Sequence, residues 1–402
     1  MLNSNTMKIS PFEKRVKRRV TGREHSFFAV CTPGLKKICF NEVLGAGFPK
    51  DNINITQGGI DIKARFNSCM ELNLNLRSPL RILMRISSFK ADSFKKFEKK
   101  INSIDWILHL PQNCALKFSV TTKKSRLYHS DAIAQRCEHI ILNQLQAEDG
   151  FTAENQSVQT IYIRAEQDFF TISLDSTGEL LFKRGIKKKV TKAPLRENIA
   201  FAMLSWAGFS NKDILIDPMC GSGTFSLEAA MVQSNIPSGF FRAFAFEHWP
   251  GCSLKTLAYM KKQAQEKFLK VTGKQIFASD IDGAALAALE QNLSNHDFCN
   301  MIAAAKKDFF AINPSDIIQG ISHDKKGIVM LNPPYGKRLE SNNDNGLFYG
   351  EIGKKLKKDF KGWRVGILLP SRASKASLGI KLELKPIFHG GLDIFAGIGK
   401  IE

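Results

Sequence analysis

At 402 residues, 43% hydrophobic and 24% charged, the chain has the composition of a soluble globular protein with room for two or three domains. Its 58 Lys and Arg against 38 Asp and Glu leave a formal charge of +20, which favours a polyanionic partner, nucleic acid first among them. No apolar run is long enough to cross a bilayer, which excludes an integral membrane protein of the helical kind. The eight cysteines form no C-x-x-C pair and have no paired histidines, which argues against a metal site or a disulfide framework and for reduced thiols in the cytoplasm.

Residues 1–25 carry Lys8, Lys14, Arg15, Lys17, Arg18 and Arg19 without an apolar core behind them. They are no secretory signal and read as a basic, disordered arm. Residues 27–30 read as a strand and 35–44 as a helix stopped by Gly45 and Gly47. Ile53, Ile55, Ile60 and Ile62 predict a hairpin around Gly58-Gly59. A helix over 69–76, a strand over 82–87 and a helix over 92–101 follow. Next come a strand over 115–121, a helix over 130–146 and strands over 160–165 and 169–175. The basic, hydroxyl-rich loop 121–129 suits a phosphate contact or a plain solvated surface equally well. Residues 177–192, with Lys187, Lys188, Lys189 and Lys192, read as a basic linker. This front half holds 32 of the basic and 18 of the acidic residues, so most of the excess charge sits in a mixed α+β region without a catalytic constellation.

The second half has a different grammar. The buried strand 214–216 runs into Asp217-Pro218-Met219-Cys220-Gly221-Ser222-Gly223-Thr224, and a helix over 225–232 follows. A strand-end acid, a glycine loop and a helix N-terminus make a nucleotide-type cradle. A dinucleotide fingerprint needs a third glycine and an acid about 20 residues on. Here Ser226 holds the glycine position, and the next strand-end acid, Asp280, lies 59 residues past Gly221. An S-adenosylmethionine site fits better. Asp217, Pro218, Gly221, Gly223 and Thr224 serve its amino-acid part. Asp280 and Ile281, after a strand over 275–279, serve its ribose, and Asp308-Phe309, after a strand over 301–304, its adenine.

Residues 327–331 form a further buried strand that Asn332-Pro333-Pro334-Tyr335-Gly336 must end, since consecutive prolines continue neither sheet nor helix. The Asn332 side-chain carbonyl and the Pro333 carbonyl can accept both hydrogens of an exocyclic amine. Pro334 stiffens the turn, and Tyr335 can lie against a planar ring. Phe348, Ile352, Leu356 and Phe360 recur every four residues and read as one core-facing helix stripe. A strand over 365–369 and a hairpin over 381–396 close the chain.

These residues resemble the THUMP-domain class I RNA methyltransferases, most of all the bacterial large-subunit (23S) ribosomal RNA guanine-N2 methyltransferases. The resemblance rests on Asp217 through Phe225, Ser279-Asp280-Ile281-Asp282 and Asn332 through Gly336. Ala193 through Asn198 resembles the segment that packs beside the cofactor, and Ala243 through Trp249 a family insertion. It implies an α/β Rossmann-like domain over 193–402, its mostly parallel sheet closed by an antiparallel hairpin. Before it would stand an α+β region: a ferredoxin-like segment over 26–66 and a THUMP RNA-binding domain over 67–176. It further implies S-adenosyl-L-methionine as cofactor, no metal, and methyl transfer to guanine N2 in large-subunit ribosomal RNA or an assembly intermediate. A cytoplasmic location, with a monomer favoured, is expected. Transfer-RNA guanine-N2 methylation, adenine-N6 methylation of DNA or RNA, and a non-catalytic ribosome assembly factor are the alternatives.

Overall fold

The structure, a computed structural model, describes residues 9–111, 113–146, 157–187, 189, 194–318, 327–334 and 342–402, with 318 and 342–345 described by backbone alone. The chain opens with α1 (Pro11–Val16), which runs on into a π-helical turn, Lys17–Thr21. Ser10 and Glu13 form a capping box at its start. Val16 and Val20 are buried, and Arg15 and Arg19 both pair with Asp105, at 3.1 and 3.0 Å. Residues 9–21 are therefore not the disordered arm that their charge suggests: two valines on one face and one carboxylate dock them. Residues 1–8 lie outside the described residues.

The front half then places β1 (Glu24–Cys31), α2 (Lys36–Gly45), β2 (Ile53–Thr56), β3 (Gly59–Arg65), α3 (Ser68–Asn75), β4 (Pro79–Lys90), α4 (Phe94–Asn102), β5 (Cys114–Lys123), α5 (Ser130–Gln146), β6 (Ser157–Glu166) and β7 (Phe169–Asp175). They make one sheet in the order β2-β3-β1-β4-β7-β6-β5, antiparallel except for the β5–β6 pair. The expected division at residue 66 does not divide the sheet. β4 is twelve residues long and pairs with β1 through Met84 and with β7 through Lys90, joining the two parts edge to edge.

The second half contains α6 (Glu197–Trp206), β8 (Leu215–Asp217), α7 (Thr224–Gln233), α8 (Leu254–Gln265), β9 (Ile276–Asp280), α9 (Gly283–Leu293), β10 (Ile302–Lys306), α10 (Pro314–Ile318), β11 (Ile328–Leu331), α11 (Asn342–Asp359), β12 (Arg364–Leu369), α12 (Arg372–Leu378), β13 (Glu383–His389) and β14 (Leu392–Lys400). The sheet order is β10-β9-β8-β11-β12-β14-β13. Strands β8 to β12 pair in parallel, and β14 runs antiparallel to both neighbours. Alternate residues of β11 feed opposite cores: Ile328 and Met330 join one, Val329 and Leu331 the other. A central strand buried on both faces is what an uninterrupted apolar run encodes. Among the described residues no helix is long and apolar enough to cross a membrane.

The two sheets are tied by buried polar contacts. Arg184 pairs with Glu228 of α7 at 3.1 Å, and Arg77, just before β4, pairs with the same carboxylate at 2.9 Å. Burial alone would raise the Glu228 pKa, but Arg184 and Arg77 outweigh it and hold the carboxyl below its usual range. The supposed linker is thus partly inside the molecule, with Leu181, Arg184 and Ile186 buried among its described residues. Phe246 donates its amide to Ser176 O at 3.0 Å, and Trp249 Nε1 donates to Gln159 Oε1 at 2.6 Å. The segment 243–249 is the plug by which the second half enters the core of the front half.

Candidate active site

The carboxyl ends of β8, β9, β10 and β11 all open on one cavity of about 1120 Å³. Ligands of open parallel sheets bind there because loops and helix N-termini converge on that edge. Gly221, Ser222 and Thr224 line it from the β8–α7 loop, Asp280, Ile281 and Asp282 from the end of β9, Asp308 and Phe309 from the end of β10, and Asn332 and Pro334 from the end of β11.

Gly223 is left-handed, at φ +82°, and a Cβ there would sit 2.3 Å from Leu289 Cδ1 of α9. Only glycine lets the loop press this closely on its neighbour. Gly223 is therefore a packing residue behind the cavity wall. Gly221 is on the wall, and its amide donates to Asp280 Oδ2 at 2.8 Å. Asp280 Oδ1 accepts from Asp282 N at 3.0 Å, so the carboxylate is fixed by two backbone donors and keeps spare lone pairs.

Asp217 also stands behind the wall. It is fully buried, and its Oδ2 accepts from Ser226 N at 3.2 Å and Ser226 Oγ at 2.7 Å. Its Oδ1 has no partner among the described residues. Burial pushes its pKa up to about 7, against the two bonds from Ser226. The same glycine-position serine that speaks against a dinucleotide site thus anchors this acid.

Thr224 Oγ1 accepts from Lys187 Nζ at 2.6 Å and donates to Leu195 O at 3.2 Å. Lys187 in turn pairs with Glu197 at 2.9 Å, both side chains being nearly buried. This clamp, which ties Lys187, Leu195 and Glu197 to the start of α7, leaves no mark in the sequence. Nothing in a run of lysines marks the one that is buried.

Asp308 caps the turn after β10 by accepting from Phe310 N at 3.1 Å. Phe309 is almost wholly buried and stacks on Phe360, with ring centroids 6.1 Å apart. Phe310 and Phe348 meet edge to face at 6.2 Å, and both line the cavity. Phe348 was expected in the core with Ile352, Leu356 and Phe360. Those three are buried, but Phe348, at the outer end of the stripe, belongs to the wall. Ile281 is 67% exposed at the rim.

Asn332 lies on the wall where β11 stops, and its Oδ1 is buried without a hydrogen-bond partner among the described residues. A buried acceptor of this kind calls for a partner, which a water or a ligand in the cavity supplies. Pro333 is buried behind it, and Pro334 faces the cavity. Tyr335 lies outside the described residues.

Comparison with known proteins agrees with this geometry. Residues 184–381 match an RMKL-like methyltransferase domain, and residues 26–83 match the RlmL ferredoxin-like domain. The chain is 28% identical over 372 residues to a Synechocystis protein named as a candidate RNA methyltransferase, covering 91% of this chain and 94% of that one. It is 26% identical over 381 residues to the ribosomal RNA large subunit methyltransferase K/L of Cellvibrio japonicus, covering 91% of this chain. It spans only 50% of that relative's length. The crystal structure of SMU.472, a candidate methyltransferase complexed with SAH, superposes with a TM-score of 0.83 at 25% identity, covering 94% of this chain and 99% of the other. By these matches, its fold and these relatives, the chain carries an RMKL-like methyltransferase domain over residues 184–381, preceded by an RlmL-type ferredoxin-like domain over 26–83.

Proposed function

We propose that the protein transfers a methyl group from S-adenosyl-L-methionine to the exocyclic N2 of a guanine in large-subunit ribosomal RNA, as a cytoplasmic monomer whose residues 67–176 act as a THUMP RNA-binding region. The observation that carries the catalytic reading is the orphaned Asn332 Oδ1 on the wall of a cavity that begins at a glycine loop and Asp280. The site has the donors and acceptors that this cofactor needs. Gly221 and Ser222 with the start of α7 would hold its amino-acid end, Asp280 its ribose hydroxyls, and Asp308, Ile281 and Phe310 its adenine. Bound there, it supplies an electrophilic methyl on a sulfonium.

The chain's own work is to prepare the acceptor. A guanine amine is conjugated with its ring and is a weak nucleophile. Asn332 Oδ1 and the Pro333 carbonyl draw its two hydrogens and turn the nitrogen toward a tetrahedral geometry. Its lone pair would then face the methyl; the N–CH3 bond would form as the S–CH3 bond breaks to leave the neutral thioether, and the amine's surplus proton would pass to water. Holding the pair in line supplies roughly 7–11 kcal/mol in well-oriented systems. The base has to leave its stack, which favours loops and unpaired segments. The large-subunit substrate is supported by the K/L relative and by the basic front half.

The test is incubation with tritiated S-adenosylmethionine and, separately, unmodified large-subunit RNA, small-subunit RNA, transfer RNA and duplex DNA, followed by digestion to nucleosides. Label in N2-methylguanosine from large-subunit RNA alone supports the proposal. Label in transfer RNA or in N6-methyladenine replaces the substrate. No label from any of the four defeats the catalytic assignment on free nucleic acid.

A further inference from the structure

A second cavity, of about 600 Å³, lies wholly in the front half, in the groove between α4 and α5. Lys95, Glu98 and Lys99 line it from α4, and Gln135, Arg136 and His139 from α5. Both helices spend their apolar faces elsewhere: Phe97 and Ile101 of α4 and Ile133, Cys137 and Ile141 of α5 are buried. The groove is thus what remains on the outer side. Its one carboxylate, Glu98, is consumed by Arg136, whose guanidinium also sits 4.3 Å over the Phe94 ring. Lys95, Lys99 and the neighbouring Lys100 have no ionic partner among the described residues, whereas Lys96 pairs with Asp92 at 2.9 Å. The groove therefore keeps a net positive charge, with hydrogen-bond donors along both sides.

A separate observation extends the charge. Asn102 lines the same groove, and three residues on, Asp105 anchors Arg15 and Arg19 of the N-terminal helical segment. Lys14, Lys17 and Arg18 share that segment, with no ionic partner among the described residues. The basic segment that charge alone would leave on a loose arm is thus pinned, through Arg15 and Arg19, to a residue three positions past the groove's Asn102.

We infer that the α4–α5 groove, with the docked 11–21 segment, binds the phosphate backbone of the RNA substrate away from the target nucleotide. The inference rests on RNA being the substrate. Such contacts position the RNA without reading its sequence, and each releases counterions, so binding weakens as salt rises.

The experiment titrates a fluorescein-labelled RNA stem-loop by anisotropy over a range of KCl concentrations. It compares the parent, the Lys95→Gln/Lys99→Gln double variant, and a Lys357→Gln/Lys358→Gln control on α11. The groove variant is expected to lower the slope of log K against log[KCl] by about two, roughly one per lysine. The control is expected to match the parent, and calorimetry is expected to give the same S-adenosylmethionine affinity for all three. An unchanged slope in the groove variant overturns the groove, as does an equal loss in the control. A parent that shows no salt-dependent binding sinks the RNA reading itself.

Discussion

Gly221 and Asp280 are joined by a 2.8 Å hydrogen bond from the glycine amide to Oδ2, although 59 residues separate them. The bond fastens the loop after β8 to the end of β9 on the wall of the cavity. Asp280→Ala leaves two backbone donors, Gly221 N and Asp282 N, without their acceptor. We expect S-adenosylmethionine affinity to fall at least tenfold by calorimetry. Asp280→Asn, which keeps one acceptor, should lie between it and the parent. Equal affinity in all three would show that the carboxylate neither shapes the loop nor meets the cofactor.

Asn332→Ala removes an acceptor that has no hydrogen-bond partner among the described residues. An unsatisfied buried polar group costs roughly 1–3 kcal/mol, so its loss should leave the melting temperature unchanged or higher. Turnover should fall about 10²–10³-fold, as when one preorganised polar contact to a transition state is deleted. Cofactor affinity should stay. A drop in stability with turnover intact would make Asn332 a structural residue.

Gly223→Ala forces a left-handed conformation on alanine and drives its Cβ into Leu289. Strain and overpacking together should cost roughly 2–4 kcal/mol in urea unfolding. Adding Leu289→Ala relieves the clash but not the backbone, so the double variant should recover only part of the loss. Full recovery would mean that φ at 223 is unimportant.

Asp217 has its pKa raised to about 7 by burial, while an Asp in the unfolded chain titrates near 3.9. Its contribution to stability is therefore fully present below about pH 4 and is lost as pH rises toward 7. Urea midpoints for the parent should fall across that window relative to Asp217→Asn, which cannot titrate. Parallel curves for the two proteins would exclude the shift.

Arg184→Met should be the most damaging change outside the cavity. Arg184 makes two bonds to Glu228, at 3.1 and 3.2 Å, and donates to Leu181 O and Arg77 O at 2.8 Å each. Breaking a buried pair by removing one partner costs roughly 3–5 kcal/mol. Calorimetric unfolding should show a large loss of stability. A change below about 1 kcal/mol would mean that Arg77 alone compensates the carboxylate.

Most elements follow from local pattern. α5 and β7 begin and end where periodicity and turn residues place them, because one clear apolar face and flanking breakers leave little to tertiary context. The strand-end acids, the glycine loop and Asn332 were legible for the same reason. Parallel strands announce themselves as apolar runs, and the residues just past each run must lie on one edge of the sheet. The hidden features depend on distant partners. Asp217 reads as a ligand until Ser226 is seen to hold it. Lys187 looks like its lysine neighbours until Glu197 is seen beside it. A four-residue spacing identifies the face of α11 but not that Phe348 stands at its solvent end. Two valines among five cations give no sign that residues 11–21 dock.

The double membership of β4 also limits where the chain can be cut. A fragment ending near residue 66 keeps β1 but discards β4, and leaves β1 with a bare row of amides and carbonyls over residues 27–31. Such a flat, unprotected border templates association with other copies. A soluble front piece therefore has to run through β7, and even then it exposes the seat that Phe246 and Trp249 fill in the whole chain.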